Sequence, residues 1–343
     1  MTIEQRNKLF WQIPFLLFLV IGTVWVLTKS SSQNIYHTNT GKIFGTQYHI
    51  IYAHDRDVKG LIEQRLSEVN RVFSTFDSTS EISRINRNEP VQVSDDFIGI
   101  FTKARLISQS TEGAFDITVA PIVNAWGFGY TGHKKASIEQ HVVDSIMHFV
   151  GWEKVRLEGR QIIKSDPRIL LDCSAIAKGY GCDAVAKLLD TMGIENYMVE
   201  IGGEIIVKGH NDKQRPWGIG INRPLEDSTG IVNEIYAKLN LTNTAMATSG
   251  NYRNYYYDNG KKFSHTIDPN TGYPVEHSIL SVTVITKECA MADGYATGFM
   301  VMGFDRAKQI LDHSPDLKAF IIYEDKQGNT QTWCSPELKK VIE

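Results

Sequence analysis

The sequence predicts an α+β protein in which mixed, largely antiparallel sheets are flanked by helices and preceded by an N-terminal transmembrane helix. Three observations support this fold class. Strand-like segments follow one another at short spacing in the second half of the chain, which favours hairpin connections over a doubly wound sheet. Segments with helical spacing of apolar residues are scattered among the strands. A long apolar run stands near the N-terminus.

The N-terminal apolar run extends from Leu9 to Leu27 and contains few polar residues. A helix of about twenty residues crosses a bilayer core, so the run is close to sufficient length. A signal peptide would look similar, but no clear small-x-small cleavage site follows the run. Basic residues before it predict a cytoplasmic N-terminus. We therefore expect an anchor or uncleaved signal over residues 1–32, a linker over 33–41 and a domain over 42–343. The protein would then cross the cytoplasmic membrane once, with this domain on the outer (periplasmic or extracellular) face.

The rest of the chain divides into segments with helical periodicity and segments with the alternation or β-branched residues of strands. The predicted helices are Asp57–Val72, Asp95–Thr111, one that Pro121–Ala125 opens or lies within, Ile176–Met192, Ala290–Met302 and Asp305–His313. The predicted strands are Ile43–Ala53, Tyr197–Ile201, Glu204–Gly209, Trp217–Asn222, Ile235–Leu241, Ala245–Ser249, Tyr252–Asp258, Leu280–Thr286 and Phe320–Glu324. A further hairpin is predicted over residues 154–164, with Gly159 and Arg160 in a type II′ turn.

Composition and charge argue against two classes of site. The formal net charge is −3 and the sequence pI is about 6.4, whereas a nucleic-acid partner would favour a strongly basic face. The four cysteines form no CxxC pair, which argues against a zinc site. We expect buried free thiols rather than disulfide bonds, because cysteine is among the most often buried residues.

Asp293 and Thr297 are four residues apart in a predicted helix, so their side chains share one face. A carboxylate and a hydroxyl form a partial shell for a hard cation such as Mg²⁺, which leaves its other positions to phosphate and water. An N-cap aspartate and a threonine bonded to its own backbone would produce the same pattern. The pair alone leaves both interpretations open.

Two other segments combine chemistry with ordinary structural roles. His265 stands between a strand end and the turn sequence Asp-Pro-Asn-Thr-Gly, where it could act as a general base or be an ordinary histidine. Small residues between Leu171 and Tyr180 surround a helix N-terminus, which can bind phosphate, although close helix packing selects the same residues. The glycine pair within Val199–Glu204 favours a plain hairpin turn.

Eight segments between about Phe44 and about Gly303 resemble, in the same order, segments of the ApbE flavin transferases. They are FGTQYHI, FSTFD with SEISRIN, GAFDITVAPIVNAWGFG, LDCSAIAKGYGCD, VEIGGEI, ATSGNYRNY, SHTIDPNTGYPVEH and ADGYATG. The resemblance implies a single ApbE-like domain that transfers FMN from FAD to a serine or threonine hydroxyl of an acceptor protein, depends on Mg²⁺ and releases AMP. The implied partners are redox subunits, some of them in membranes, and no nucleic acid. An FAD pyrophosphatase giving FMN and AMP, or a non-catalytic flavin-binding protein, are the alternatives.

The resemblance also implies roles for particular residues. The metal, Mg²⁺ or Mn²⁺, would be bound by Asp293, Thr297 and the backbone carbonyl of Ala175. His265 would be the catalytic base for the acceptor hydroxyl. The residues expected to contact the flavin nucleotide are Phe44, Phe76, Ala114, Phe115, Asp116, Asp172, Lys178 and the backbone near Ile267. Phe44 and Phe76 stand where many members have methionine and tyrosine, so a phenolic hydroxyl is absent at Phe76.

Overall fold

The computed structural model describes most of the chain outside the N-terminus. The described residues are 14–23, 35–129, 138–224, 234–251, 255–258, 261–264, 266–276, 278–325 and 327–342. Within them, helices pack on an eight-stranded sheet and short hairpins extend from it. The predicted α+β class is confirmed.

The helices are α1 (residues 14–23), α2 (Lys59–Phe73), α3 (Glu81–Asn86), α4 (Asp95–Ser110), α5 (Ala120–Ala125), α6 (Gln140–Met147), α7 (Ser174–Thr191), α8 (Cys289–Met302) and α9 (Phe304–His313). Two 3₁₀ turns span Trp152–Lys154 and Pro336–Lys340. The strands are β1 (Tyr36–Ile43), β2 (Thr46–Ala53), β3 (Val155–Glu158), β4 (Gln161–Lys164), β5 (Tyr197–Ile201), β6 (Glu204–Lys208), β7 (Trp217–Asn222), β8 (Ile235–Leu241), β9 (Thr244–Gly250), β10 (Tyr255–Asp258), β11 (Lys261–Ser264), β12 (Ile279–Thr286), β13 (Lys318–Glu324) and β14 (Thr330–Cys334).

The large sheet has the order β1-β2-β5-β6-β9-β12-β13-β14, and each neighbouring pair in it is antiparallel. Strands β3 and β4, β7 and β8, and β10 and β11 form separate antiparallel hairpins. The prediction of largely antiparallel sheets is therefore confirmed.

Alternating residues of the central strands enter different apolar clusters, so both faces of the sheet are buried. In β13, Ala319 and Ile321 join the cluster formed with helices α4, α7 and α8. Their neighbours Phe320 and Ile322 join a cluster that includes Trp217 of the β7–β8 hairpin. Because side chains alternate across a strand, this division follows from the period of two in the sequence.

Helices α7 and α8 approach each other closely because Gly179 has no side chain. A Cβ at Gly179 would lie 2.4 Å from the carbonyl oxygen of Cys289 and 2.9 Å from the Cα of Ala290. Only glycine fits this contact without a shift of backbone atoms. The contact holds the N-terminal halves of the two helices together, and in these halves the Gly179 N–H donates to the predicted metal ligand Asp293.

The N-terminal part of the domain differs from the prediction. Strand β1 begins at Tyr36, inside the stretch 33–41 that was predicted as a linker. The single strand predicted over Ile43–Ala53 is the turn and second strand of a hairpin, in which Phe44 and Gly45 have φ angles of 51° and 73°. Helices α3 and α6 and strands β11 and β14 were not predicted.

The predicted membrane span Leu9–Leu27 lies only partly within the described residues. Residues 14–23 are helical and largely exposed. Among the residues that the structure describes, no helix combines the length and apolar character needed to cross a bilayer.

Candidate active site

A cavity of about 710 Å³ opens beside the first turn of α7 and the part of α8 that begins at Asp293. This volume is in the usual range of about 300–1,000 Å³ for small-molecule sites. Nine of the twelve predicted site residues line it, although they come from four separate parts of the chain. These nine are Ala114, Phe115, Asp116, Asp172, Ala175, Lys178, Ile267, Asp293 and Thr297.

The charged centre of the cavity consists of one lysine between two carboxyl groups. Lys178 Nζ lies 3.4 Å from Glu204 Oε1 and 3.8 Å from Asp293 Oδ2. Both carboxyl side chains are at least 95% buried. The second oxygen of Glu204, Oε2, is buried and has no hydrogen-bond partner among the described residues. One ammonium therefore faces two acidic groups in a place where water reaches neither carboxyl freely.

Burial and charge act in opposite directions on this triad. Burial lowers the pKa of Lys178, but the neighbouring Asp293 and Glu204 outweigh it and raise that pKa above the ordinary value. Burial raises the pKa of Glu204 and of Asp293, and the Lys178 ammonium opposes the rise in each case. If all three groups are ionised, the centre carries one excess negative charge, which a bound cation would offset.

Asp293 is held by the neighbouring helix rather than by its own helix terminus. Helix α8 begins at Cys289, so Asp293 lies beyond its first turn and is not the N-cap residue. Its Oδ2 accepts a hydrogen bond from the Gly179 N–H at 3.0 Å. Thr297 Oγ1, one turn further along α8, lies 3.3 Å from Ser249 Oγ at the end of β9. The N-cap alternative for Asp293 is therefore wrong.

The oxygen donors around this point fit a hard divalent cation. Ala175 lies in the first turn of α7, and its carbonyl is the usual helical partner of the Gly179 N–H that contacts Asp293. A carboxylate, a hydroxyl and a carbonyl are the ligand types that Mg²⁺ and Mn²⁺ prefer. No group of three or more histidine, cysteine, aspartate or glutamate residues suited to a metal occurs in the described part of the chain. A cation here would therefore need further ligands from phosphate and water, as is usual for Mg²⁺.

The segments around Asp116 and Asp172, which line another part of the cavity, are fixed by hydrogen bonds. Asp116 Oδ1 accepts from the Thr118 N–H at 2.7 Å and from its hydroxyl at 2.8 Å. The Asp172 N–H donates to the Ile117 carbonyl at 2.8 Å, and its carboxylate accepts from the Ser174 N–H at 2.7 Å. Burial raises the pKa of Asp116 to about 6, and hydrogen bonds from Thr118 oppose that shift. These bonds place Asp116 and Asp172 on one side of the cavity.

The turn that follows β11 also lines the cavity. Ile267 pairs with Pro274 across this turn, and Thr266 Oγ1 donates to Asn251 Oδ1 at 2.6 Å. The Gly272 carbonyl accepts a hydrogen bond from the indole N–H of Trp126 at 2.8 Å. Thr266 and Ile267 both line the cavity. His265, the predicted base, precedes them but lies outside the described residues, so its role remains a prediction.

Two predicted contact residues do not line the cavity. Phe44 occupies the β1–β2 turn and packs against Gly181 of α7, where an added Cβ would lie 2.5 Å from the ring. The Phe76 side chain is 83% exposed. Both residues stand in turns, and their sequence context gave no information on which way the turns face.

Sequence reasoning missed one residue at the centre of the site, Glu204, because the glycine pair that precedes it was interpreted as a plain hairpin turn. For Ser249, at the end of a predicted strand, the sequence left open both a place in the site and ordinary loop polarity. The segments VEIGGEI and ATSGNYRNY were the available signals, because both take part in the family resemblance.

The fold and the cavity together define an α+β protein with one buried, oxygen-lined site at the junction of two helices. Sequence comparison identifies the family more closely. A sequence model described as the ApbE family matches residues 44–321. The FAD:protein FMN transferase of Haemophilus influenzae is 38% identical over 319 residues, covering 89% of this chain and 91% of the relative. That of Vibrio cholerae serotype O1 is 41% identical over 282 residues, covering 80% and 83%. The chain belongs to the ApbE family.

Solved structures agree with this assignment. The flavin transferase ApbE from Vibrio cholerae superposes with a TM-score of 0.80 at 37% identity, covering 90% of this chain and 99% of that one. The apo form of the Pseudomonas stutzeri flavinyl transferase ApbE superposes with a TM-score of 0.78 at 28% identity, covering 90% and 97%. The resemblance inferred from the eight segments is confirmed, and so is the ApbE-like fold.

Proposed function

We propose that this chain is an FAD:protein FMN transferase that uses Mg²⁺, or Mn²⁺, to move FMN from FAD to a serine or threonine hydroxyl of an acceptor protein. The observation that carries the proposal is the convergence of Lys178, Asp293, Thr297 and Ala175 on one cavity in a chain of the ApbE family. An ammonium beside an oxygen-donor set is suited to a pyrophosphate with its bound cation.

The reaction requires one bond to form and one to break. The acceptor oxygen bonds to the phosphorus on the FMN side of the FAD pyrophosphate, and the bond from that phosphorus to the bridging oxygen breaks. AMP leaves with the bridging oxygen, and the proton of the acceptor hydroxyl passes to a base. A bound cation supplies positive charge to the pyrophosphate oxygens. Positioning and electrostatic stabilisation dominate such phosphoryl transfers.

Different residues of the cavity would bind the cation, the phosphates and the flavin. Asp293, Thr297 and the Ala175 carbonyl would hold the cation, and the Lys178 ammonium would contact phosphate oxygens. The flavin nucleotide would lie against Ala114, Phe115, Asp116, Asp172 and Ile267, with Phe44 and Phe76 nearer the surface. His265 would take the proton, since its chain neighbour Thr266 lines the cavity.

The N-terminal residues bear on where this reaction takes place. We propose that residues 1–32 form a single membrane anchor and that the catalytic domain lies on the outer face of the cytoplasmic membrane. The apolar run from Leu9 to Leu27 and the basic residues before it support this arrangement. An enzyme in that position would meet redox subunits in or near the membrane as acceptors.

The test uses the full chain in detergent with FAD, Mg²⁺ and a candidate redox subunit. We expect flavin fluorescence on the acceptor that survives denaturing electrophoresis, with AMP released in equal amount and both products lost on adding EDTA. AMP and free FMN without labelled acceptor would instead show a pyrophosphatase. Bound FAD without either product would show a flavin-binding protein, and each of these two results would refute the proposal for the acceptor tested.

A further inference from the structure

Glu204 is a buried acidic residue at the cavity for which the proposed mechanism so far has no role. It begins β6, is 3% exposed and lines the cavity. One carboxylate oxygen, Oε1, lies 3.4 Å from Lys178 Nζ, and the other is buried without a hydrogen-bond partner among the described residues. Leaving a buried acceptor unpaired usually costs about 1–3 kcal/mol, so such a group calls for an explanation.

The backbone fixes Glu204 beside Lys178 from two sides. Glu204 pairs with Ile201 across the β5–β6 turn, and its carbonyl accepts a hydrogen bond from the Cys182 thiol of α7 at 3.2 Å. In the turn itself, Gly202 has a φ of +64°, and a Cβ there would lie 3.4 Å from Lys178 Cδ. The turn therefore runs along the stem of the lysine, and its end holds the carboxylate near the ammonium.

The second carboxylate near Lys178, that of Asp293, is assigned to the cation. Asp293 lies at the longer distance of 3.8 Å from Lys178 Nζ, accepts from Gly179 and belongs to the oxygen set that fits the cation. When Asp293 binds a cation, its charge is shared with that cation. Glu204 is then the remaining carboxylate within ion-pair distance of Lys178 in the described structure.

A lysine at a phosphate site needs such a partner. Its side chain is flexible and carries about 2 kcal/mol of rotamer entropy, so the ammonium is not held by its own geometry. A buried ion pair is weak evidence for stability alone, because apolar residues of similar volume often serve as well. The placement of this pair at the cavity wall indicates a role in ligand binding instead.

We propose that Glu204 is a positioning residue that holds the Lys178 ammonium against the pyrophosphate of FAD. The proposal rests on the proposed function, because it requires FAD to bind in this cavity with its pyrophosphate near Lys178. It predicts that Glu204 matters only through Lys178 and only for ligands that carry phosphate.

The test measures binding of FAD and of riboflavin to the full chain in Mg²⁺ by flavin fluorescence, without acceptor. The variants are Glu204→Gln, Lys178→Met and the double substitution. We expect each single variant to weaken FAD binding by about tenfold or more, as for loss of one partner of a buried charge pair. Riboflavin, which has no phosphate, should bind each variant within about twofold of the wild-type affinity, and the double variant should bind FAD no more weakly than Lys178→Met.

Glu200 offers a matched control for the loss of negative charge. It lines the same cavity, but its carboxylate accepts from the Gly203 N–H at 2.8 Å, and in the described structure the ion pairs of Lys178 are with Glu204 and Asp293 instead. Any effect of Glu200→Gln on FAD affinity should multiply with that of Lys178→Met, unlike the effect of Glu204→Gln. If Glu204→Gln does not fold, Glu204→Asp keeps the charge at a greater distance and should weaken FAD but not riboflavin.

Three results would overturn the inference. The first is that Glu204→Gln binds FAD as tightly as the wild type while Lys178→Met binds it more weakly. The second is that the two losses of FAD affinity multiply in the double variant. The third is that Glu204→Gln loses as much affinity for riboflavin as for FAD. A wild-type chain that binds no FAD in Mg²⁺ would instead refute the proposed function itself, so the two failures are distinguishable.

Discussion

Replacing Gly179 with alanine should separate helices α7 and α8 and damage the site without altering any proposed ligand. The added Cβ would lie 2.4 Å from the Cys289 carbonyl oxygen, about 1 Å inside the usual carbon–oxygen contact of about 3.3 Å or more. The obstructing atoms belong to backbone, so no side-chain rotation relieves the overlap. The helices must therefore move apart by about 1 Å, at a cost of about 1–3 kcal/mol of unfolding free energy.

The same displacement should reduce catalysis. Lys178 and Ala175 lie on α7, whereas Asp293 and Thr297 lie on α8, so separation of the helices moves the ammonium and one proposed cation ligand away from the other two. A misplacement of about 1 Å can cost about 100-fold in rate. We expect Gly179→Ala to lower the thermal unfolding midpoint and to slow FMN transfer by about 10- to 100-fold, measured on the full chain with FAD and acceptor.

Gly60 in α2 provides the control. It is also a helical glycine, but an added Cβ there would meet nothing within 4 Å. Gly60→Ala should be neutral or stabilising by up to ~1 kcal/mol, because alanine favours the helix, and should leave the transfer rate unchanged. If Gly179→Ala has wild-type stability and rate, close approach of α7 and α8 does not set the geometry of the site.

Three further substitutions test the proposed roles of Asp293, His265 and Asp116. Asp293→Asn should abolish AMP release and make FAD affinity independent of added Mg²⁺; a Mg²⁺-dependent affinity equal to the wild type would remove Asp293 from the cation site. His265→Ala should slow transfer while leaving the FAD dissociation constant unchanged, and full activity would refute its assignment as base. Because burial raises the folded-state pKa of Asp116 to about 6, the folded state binds more protons than the unfolded state between pH 4 and 6. The free energy of unfolding of the wild type relative to that of Asp116→Asn should therefore fall by up to about 3 kcal/mol as pH rises through that range. A constant difference between the thermal unfolding midpoints of the two proteins across that range would contradict this prediction.

The long helices could be predicted because their apolar periodicity is strong, whereas the first strand could not. Helix α2 buries Ile62, Leu66 and Val69 at helical spacing. Strand β1 has the polar sequence YHTNTGKI, and its one fully buried residue is Asn39, which donates to Asp57. A strand that pairs through its backbone and buries a polar side chain has no hydrophobic alternation to reveal it.

Short and exposed elements were missed for a related reason. Strand β14, at the edge of the sheet, is largely exposed, so nothing in its sequence distinguishes it from a loop. Helix α3 has six residues and depends on its Ser80 cap, whose hydroxyl accepts from the Ser83 N–H. Such elements are stabilised by tertiary contacts rather than by local periodicity.

In the site, too, contacts within one helix could be predicted from the sequence, whereas contacts between elements distant in the sequence could not. Asp293 and Thr297 share a helix, so their common face could be read from their spacing. The contact of Lys178 with Glu204 depends on how α7 packs against the β5–β6 turn, which no local pattern specifies. The positions of Phe44 and Phe76, neither of which lines the cavity, likewise depend on the direction of two turns.

The most direct test of the flavin transferase function is the mass of the acceptor after reaction. The full chain, FAD and Mg²⁺ would be incubated with a candidate redox subunit, and the acceptor analysed by intact and peptide mass spectrometry beside an Asp293→Asn reaction. We predict a mass increase of one FMN less one water, located on a serine or threonine and absent with Asp293→Asn. An unmodified acceptor alongside full conversion of FAD to FMN and AMP would contradict the account, because water would then attack the phosphorus in place of the acceptor hydroxyl.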